Sequence, residues 1–289
     1  MHSQSRGAPG KWPELRVSVS NLAWEREHDE AVSSLLGEFG VDAIDVAPGR
    51  YFANPADVGR ADALRVRDAW RARGQEIVGL QSLMFGTRGL NLFGDPDVQA
   101  AMLEHLEGVC RLSAHFGATR LVFGSPRNRD ASGLSAPEAL DRAVAFFRRL
   151  GDAAVDHGVT LCLEANPSAF GCNFMTTTSS AAEVVRAVDH AGIRLQLDTG
   201  TIVANDEDVH QLLREHAELV AHVHVSEPAL APVGGSDRDH SREGAAIRRT
   251  LPDRVATIEM LPGEPRVAAL AWALRIVAQA YRERGGELR

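Results

Sequence analysis

Four stretches decide the fold: 161–166 (LCLEAN), 195–200 (LQLDTG), 221–227 (AHVHVSE) and 255–261 (VATIEML). Each is a short apolar run that closes on a metal-binding type of residue, namely Glu164, Asp198, His224 and Glu259. Those residues stand 34, 26 and 35 positions apart. One βα unit fits each gap, because a βαβ motif takes roughly 30 residues or more. Three carboxylates and one imidazole at the ends of four successive strands predict a divalent-metal site at the top of a β/α barrel.

Outward from these runs, β-like segments alternate with helical patterns eight times. The strands are expected at 16–20, 43–46, 77–81, 120–123, 160–164, 194–198, 221–225 and 255–259. Between them lie amphipathic stretches such as DEAVSSLLGEFG, VQAAMLEHLEGVCRLSAHFG and PEALDRAVAFFRRLGDAAVDHG, with apolar residues three and four apart. Gly40, Gly74, Gly117, Gly158 and Gly192 fall just before a strand, where a helix stop is expected. The pattern predicts an α/β protein with a single (β/α)8 TIM barrel over residues 14–289, after a flexible N-terminal tail at 1–13. An open doubly wound sheet would need a Gly-rich turn after its first strand, and SVSNLAWERE has none.

Composition narrows the chemistry. The net charge of −8 argues against nucleic acid, whose phosphates call for a basic stripe. No apolar run approaches the ~18 residues that would span a membrane, and MHSQSRGAPGKWP lacks the charged-then-apolar pattern of a signal peptide. With only Cys110, Cys162 and Cys172, a disulfide framework is not expected, and the chain reads as cytoplasmic. Lys11 is the single lysine and precedes the first strand. A Schiff-base or PLP mechanism, which needs a buried lysine amine, is therefore disfavoured. No motif for a nicotinamide cofactor or P-loop is present.

Side chains alternate across a strand, so residues two apart share a face. If the four ligands point into the barrel, Cys162, Gln196, His222 and Thr257 form the layer beneath them. His222, Gln196 and Thr257 then support the ligands from below, and Cys162 is a small buried packing residue. Three oxygens and one nitrogen suit Mn2+ or Mg2+, with Co2+, Fe2+ or Zn2+ able to substitute. Glu164 and Glu259 also make an acid/base pair for a polarised carbonyl. Arg127 in VFGSPRNRD, Asn166 after the first ligand, and Glu227 and His240 beyond strand 7 are the candidates for holding substrate. The long segment 228–244 is placed to cover or complete the site. Trp24 and Phe85 could wall an apolar side of the pocket.

At LCLEANP, LQLDTG, HVHVSEP and TIEM the chain resembles the xylose isomerase-like barrel superfamily, the sugar phosphate isomerase/epimerase group, over nearly its whole length. Within it the chain is similar to the ketose 3-epimerases. That resemblance implies a metal-bound pair of glutamates, here Glu164 and Glu259, exchanging a proton with the carbon beside a carbonyl. The implied function is a divalent-metal-dependent isomerase or epimerase of a small hydroxy-carbonyl sugar or cyclitol, acting through a metal-bound enediolate. A metal-dependent lyase on the same scaffold (a dehydratase or C-glycoside-cleaving enzyme) and a non-catalytic accessory barrel stay open, as does homo-oligomerisation. Two departures touch the substrate. The ketose 3-epimerases carry a histidine three residues after the aspartate and an arginine six after the metal histidine; Thr201 and Leu230 stand there instead.

Overall fold

The computed structural model describes residues 15–282. The expected tail at 1–13, with Lys11, lies outside them. Among the described residues eight parallel strands close into a barrel in sequence order: β1 (Arg16–Ser20), β2 (Ala43–Val46), β3 (Glu76–Leu80), β4 (Arg120–Phe123), β5 (Thr160–Leu163), β6 (Ile193–Asp198), β7 (Val220–Val225) and β8 (Val255–Ile258). The fold is a single (β/α)8 TIM barrel, and β1 closes it on β8 through pairs such as Val17 with Ala256. Each strand is buried on both faces, which is why these segments read as near-continuous apolar runs.

The outer ring is carried by α1 (Asp29–Glu38), α2 (Arg60–Ala72), α3 (Pro96–Phe116), α4 (Ala136–Asp156) and α5 (Thr178–Val188), then α6 (Thr199–Ala204), α7 (Val209–His216), α8 (Ser241–Thr250) and α9 (Arg266–Val277). Local chemistry starts them: a capping box joins Ser135 and Glu138 at α4, and Thr177 and Ser180 do the same at α5. The outward faces of the strands, including Leu161, Leu195, Val223 and Ile258, are fully buried against this ring, together with Phe147 of α4.

Two local readings change. Gly40, Gly74, Gly117 and Gly158 adopt the left-handed conformation expected of helix stops, but Gly192 does not. The left-handed residue ending α5 is Asp189 (φ 46°), while Gly192 is small because a Cβ there would strike the Gly151 backbone. Trp24 does not wall a pocket. Its Nε1 donates to Asp29 Oδ1 (2.8 Å) and its ring packs edge-on against Trp70.

Candidate metal centre

The C-terminal ends of β5 to β8 bring Glu164, Asp198, His224 and Glu259 together, all four buried. One ligand atom from each lies within 4.8 Å of the others. His224 Nδ1 is 3.1 Å from Glu164 Oε1 and 2.9 Å from Glu259 Oε2. Asp198 is fixed twice: its Oδ1 accepts from the Thr201 amide (2.6 Å) and its Oδ2 from Ser226 Oγ (2.7 Å). The first of these bonds makes Asp198 the N-cap of α6, a short helix that starts directly on this candidate ligand. Gln81, at the exit of β3, donates from Nε2 to Glu259 Oε1. Gly124, at the exit of β4, leaves the space into which the Glu164 carboxylate extends.

The electrostatics call for a cation. Burial, and then the neighbouring Glu164 charge, push the Asp198 carboxyl above its ordinary value against the pull of His224 and Ser226. Burial alone would depress the His224 imidazole, but Glu259 and Glu164 outweigh it and hold the ring well above the ordinary histidine value. His224 Nε2 is buried without a hydrogen-bond partner. Three clustered carboxylates are costly to bury unpaired, and oxygen-rich donor sets of this kind suit hard divalent ions. The four residues thus fit a divalent metal.

Beneath them a second polar layer fills the barrel. His222 Nε2 meets Asp45 Oδ2 at 2.7 Å and Thr257 Oγ1 at 3.1 Å, and Ser18 Oγ donates to Asp45 Oδ1 (3.1 Å). Burial raises the Asp45 carboxyl, but the charge and hydrogen bond of His222, with smaller help from His224 and Ser18, bring it below the usual carboxylate range. Asp45 was not among the sequence candidates. Its signal was an acid inside a buried strand run, AIDV, and a register shift between Ile44 and Asp45 re-aims the side chain. Gln196 lies with its amide against the β7 backbone, and the orientation that satisfies both of its atoms has its nitrogen donating to the His222 carbonyl (3.2 Å) and its oxygen accepting from the His224 amide (3.1 Å). Cys162 is buried, and that burial pushes its thiol up to about 12.

Above these four residues opens a cavity of about 1040 Å3 lined by Glu164, Asp198, Glu259, Arg127, Asn166 and Glu227, among others. Arg129, from the same turn as Arg127, is wholly buried; it donates to the Glu164 carbonyl (2.7 Å) and to Asn166 Oδ1 (2.6 Å). His240 does not line the cavity. Its Nε2 faces Glu227 Oε1 at 2.9 Å, and Ser236 and Arg238 of the same long segment also bond Glu227. The segment therefore folds back onto Glu227 from behind, while Pro228, Ala229 and Leu230 form the cavity edge.

A family model described as xylose isomerase-like TIM barrel matches residues 34–257. No curated protein sequence matches the chain significantly. Among solved structures, D-psicose 3-epimerase from Clostridium cellulolyticum superposes with a TM-score of 0.75 at 15% identity, over 93% of this chain and 100% of that one. A 3-keto-D-glucoside 4-epimerase from E. coli gives 0.71 at 16%, over 91% and 99%. The IOLI protein, solved with a bound zinc atom, gives 0.71 at 15%, over 92% and 99%.

Proposed function

Starting from a chain that belongs to the xylose isomerase-like TIM barrel family, we propose that it is a divalent-metal-dependent isomerase or epimerase of a hydroxy-carbonyl sugar or cyclitol. One observation carries the reading: two buried glutamates from β5 and β8 flank a single imidazole nitrogen, at 3.1 and 2.9 Å, at the floor of an open cavity. Epimerases among the similar folds support the same class of chemistry.

Glu164, Asp198, His224 and Glu259 would hold the ion, with Mn2+ or Mg2+ best suited to the donor set. When bound, it supplies positive charge that polarises the substrate's carbonyl and neighbouring hydroxyl oxygens. The remaining work falls to the protein. One of Glu164 and Glu259 removes the proton from the hydroxyl-bearing carbon beside the carbonyl, and the other returns a proton to the resulting enediolate. Return to the opposite face inverts that carbon; return to the neighbouring carbon moves the carbonyl. Gln81 fixes the Glu259 carboxylate, and Arg129 fixes the Glu164 backbone, so that both stay aimed at the same point. Asn166, Arg127 and Glu227 face the cavity and are the substrate contacts of this reading. His240 acts through Glu227 by holding it in place.

The test is product analysis in deuterium oxide. The Mn2+-loaded protein, given a panel of ketohexoses and keto-cyclitols, is expected to place deuterium beside the carbonyl and to form an isomer. An unsaturated or fragmented product would make it a lyase instead. Absence of exchange across the panel, with metal bound, would count against the reading.

A further inference from the structure

The cavity is larger than its chemistry needs. At about 1040 Å3 it lies at the top of the roughly 300–1,000 Å3 range that encloses drug-sized ligands. A six-carbon sugar seated on the four ligands would leave most of it empty. The unused part has a distinct lining. Phe85 follows β3, Arg127 follows β4 and Phe170 follows β5, and these three strands are neighbours in the barrel. Phe85 is 72% exposed and Phe170 48%. Met84, Leu90 and Pro167 continue the same wall. Among the described residues Arg127 makes no hydrogen bond or ion pair. Exposed phenyl groups on a cavity rim carry a hydration cost that a ligand can remove.

We infer that the β3–β5 rim is a subsite for an aromatic substituent on the reacting sugar, such as the aryl aglycone of a keto-glycoside. The inference rests on the hydroxy-carbonyl reading of the metal centre and extends it to the substrate class. The two phenyl rings offer offset or edge contacts to a planar group, and the unpaired Arg127 guanidinium can stack on its face.

The experiment measures binding of 4-nitrophenyl β-D-glucoside and methyl β-D-glucoside to the Mn2+-loaded full chain by calorimetry. The nitrophenyl compound is expected to bind about tenfold or more tightly. The F85A/F170A variant is expected to reduce that ratio to near one while leaving the methyl glucoside affinity unchanged. Equal affinities in the unaltered protein, or a ratio that survives the double substitution, would overturn the subsite. So would a change of oligomeric state in F85A/F170A with the ratio intact. Failure of the subsite and failure of the catalytic reading separate cleanly. Deuterium exchange into free keto-sugars without aryl preference removes only the subsite. Aryl preference without exchange into any keto-sugar or keto-glycoside removes only the proton-transfer chemistry.

Discussion

His222 Nε2 lies 2.7 Å from Asp45 Oδ2 inside the barrel, and neither side chain reaches solvent. The pair forms the floor under the candidate metal residues: the His222 ring packs edge-on to that of His224 at 5.6 Å. Gly79 on β3 keeps the room for it, because a Cβ there would collide with the Asp45 carboxylate.

Removing one partner of a buried charged hydrogen bond strands the other. Asp45→Asn is therefore expected to lower the unfolding free energy by about 2–3 kcal/mol. The double variant Asp45→Asn/His222→Asn should cost less than the two single changes added together, with a coupling of more than about 1 kcal/mol. Denaturant unfolding of the four proteins checks this, and strict additivity would show that the contact carries no energy. Metal affinity should also fall, by about tenfold, since groups behind a ligand set its orientation.

Metal binding should stabilise the fold through Asp198 and its three neighbours. At a hundredfold excess over the dissociation constant, a ligand of the native state adds about 2.7 kcal/mol. For a chain of 289 residues that corresponds to a rise in Tm of roughly 4–5 °C on replacing EDTA with Mn2+. Asp198→Asn should abolish most of the shift while keeping the bonds to Thr201 and Ser226 within reach. A variant that still shows the full shift would exclude Asp198 as a ligand.

The pairing of Glu227 gives a pH signature. Burial raises its carboxyl, but the His240 hydrogen bond and charge, together with Arg238, bring it below the usual carboxylate value. A depressed carboxyl stabilises the fold above its unfolded value, near pH 4.3, and loses that contribution as the pH falls through the folded value. The stability gap between the unaltered protein and Glu227→Gln is thus expected to be full at pH 6–7 and to close below about pH 4. Thermal unfolding across that range checks it; a gap that widens in acid would contradict the pairing.

The barrel and the four metal-type residues were legible because both rest on local pattern. Buried parallel strands give apolar runs, and an acid or histidine at the end of such a run has few structural reasons to be there. The same logic could have found Asp45, yet its partner His222 lies 177 residues away, and no pattern along the chain reports that distance. Gln196 illustrates a second limit. Parity placed it beneath the ligands, but the register shift between Leu195 and Gln196 puts its amide against the β7 backbone. Arg129 and Arg127 read alike in VFGSPRNRD; the turn Pro126–Asn128 buries the first and exposes the second. The three-dimensional course of the segment after β7, which turns His240 toward Glu227 and away from the cavity, likewise depends on contacts remote in sequence.

The central claim is that Glu164 and Glu259 are a proton-transfer pair, and single Glu164→Gln and Glu259→Gln variants test it most directly. Each is to be loaded with Mn2+, its metal content confirmed, and its deuterium incorporation into a substrate of the unaltered protein followed by NMR. The account predicts bound metal with exchange reduced by a factor of at least about 10² in both variants. Full exchange in both, with metal still in place, would contradict it.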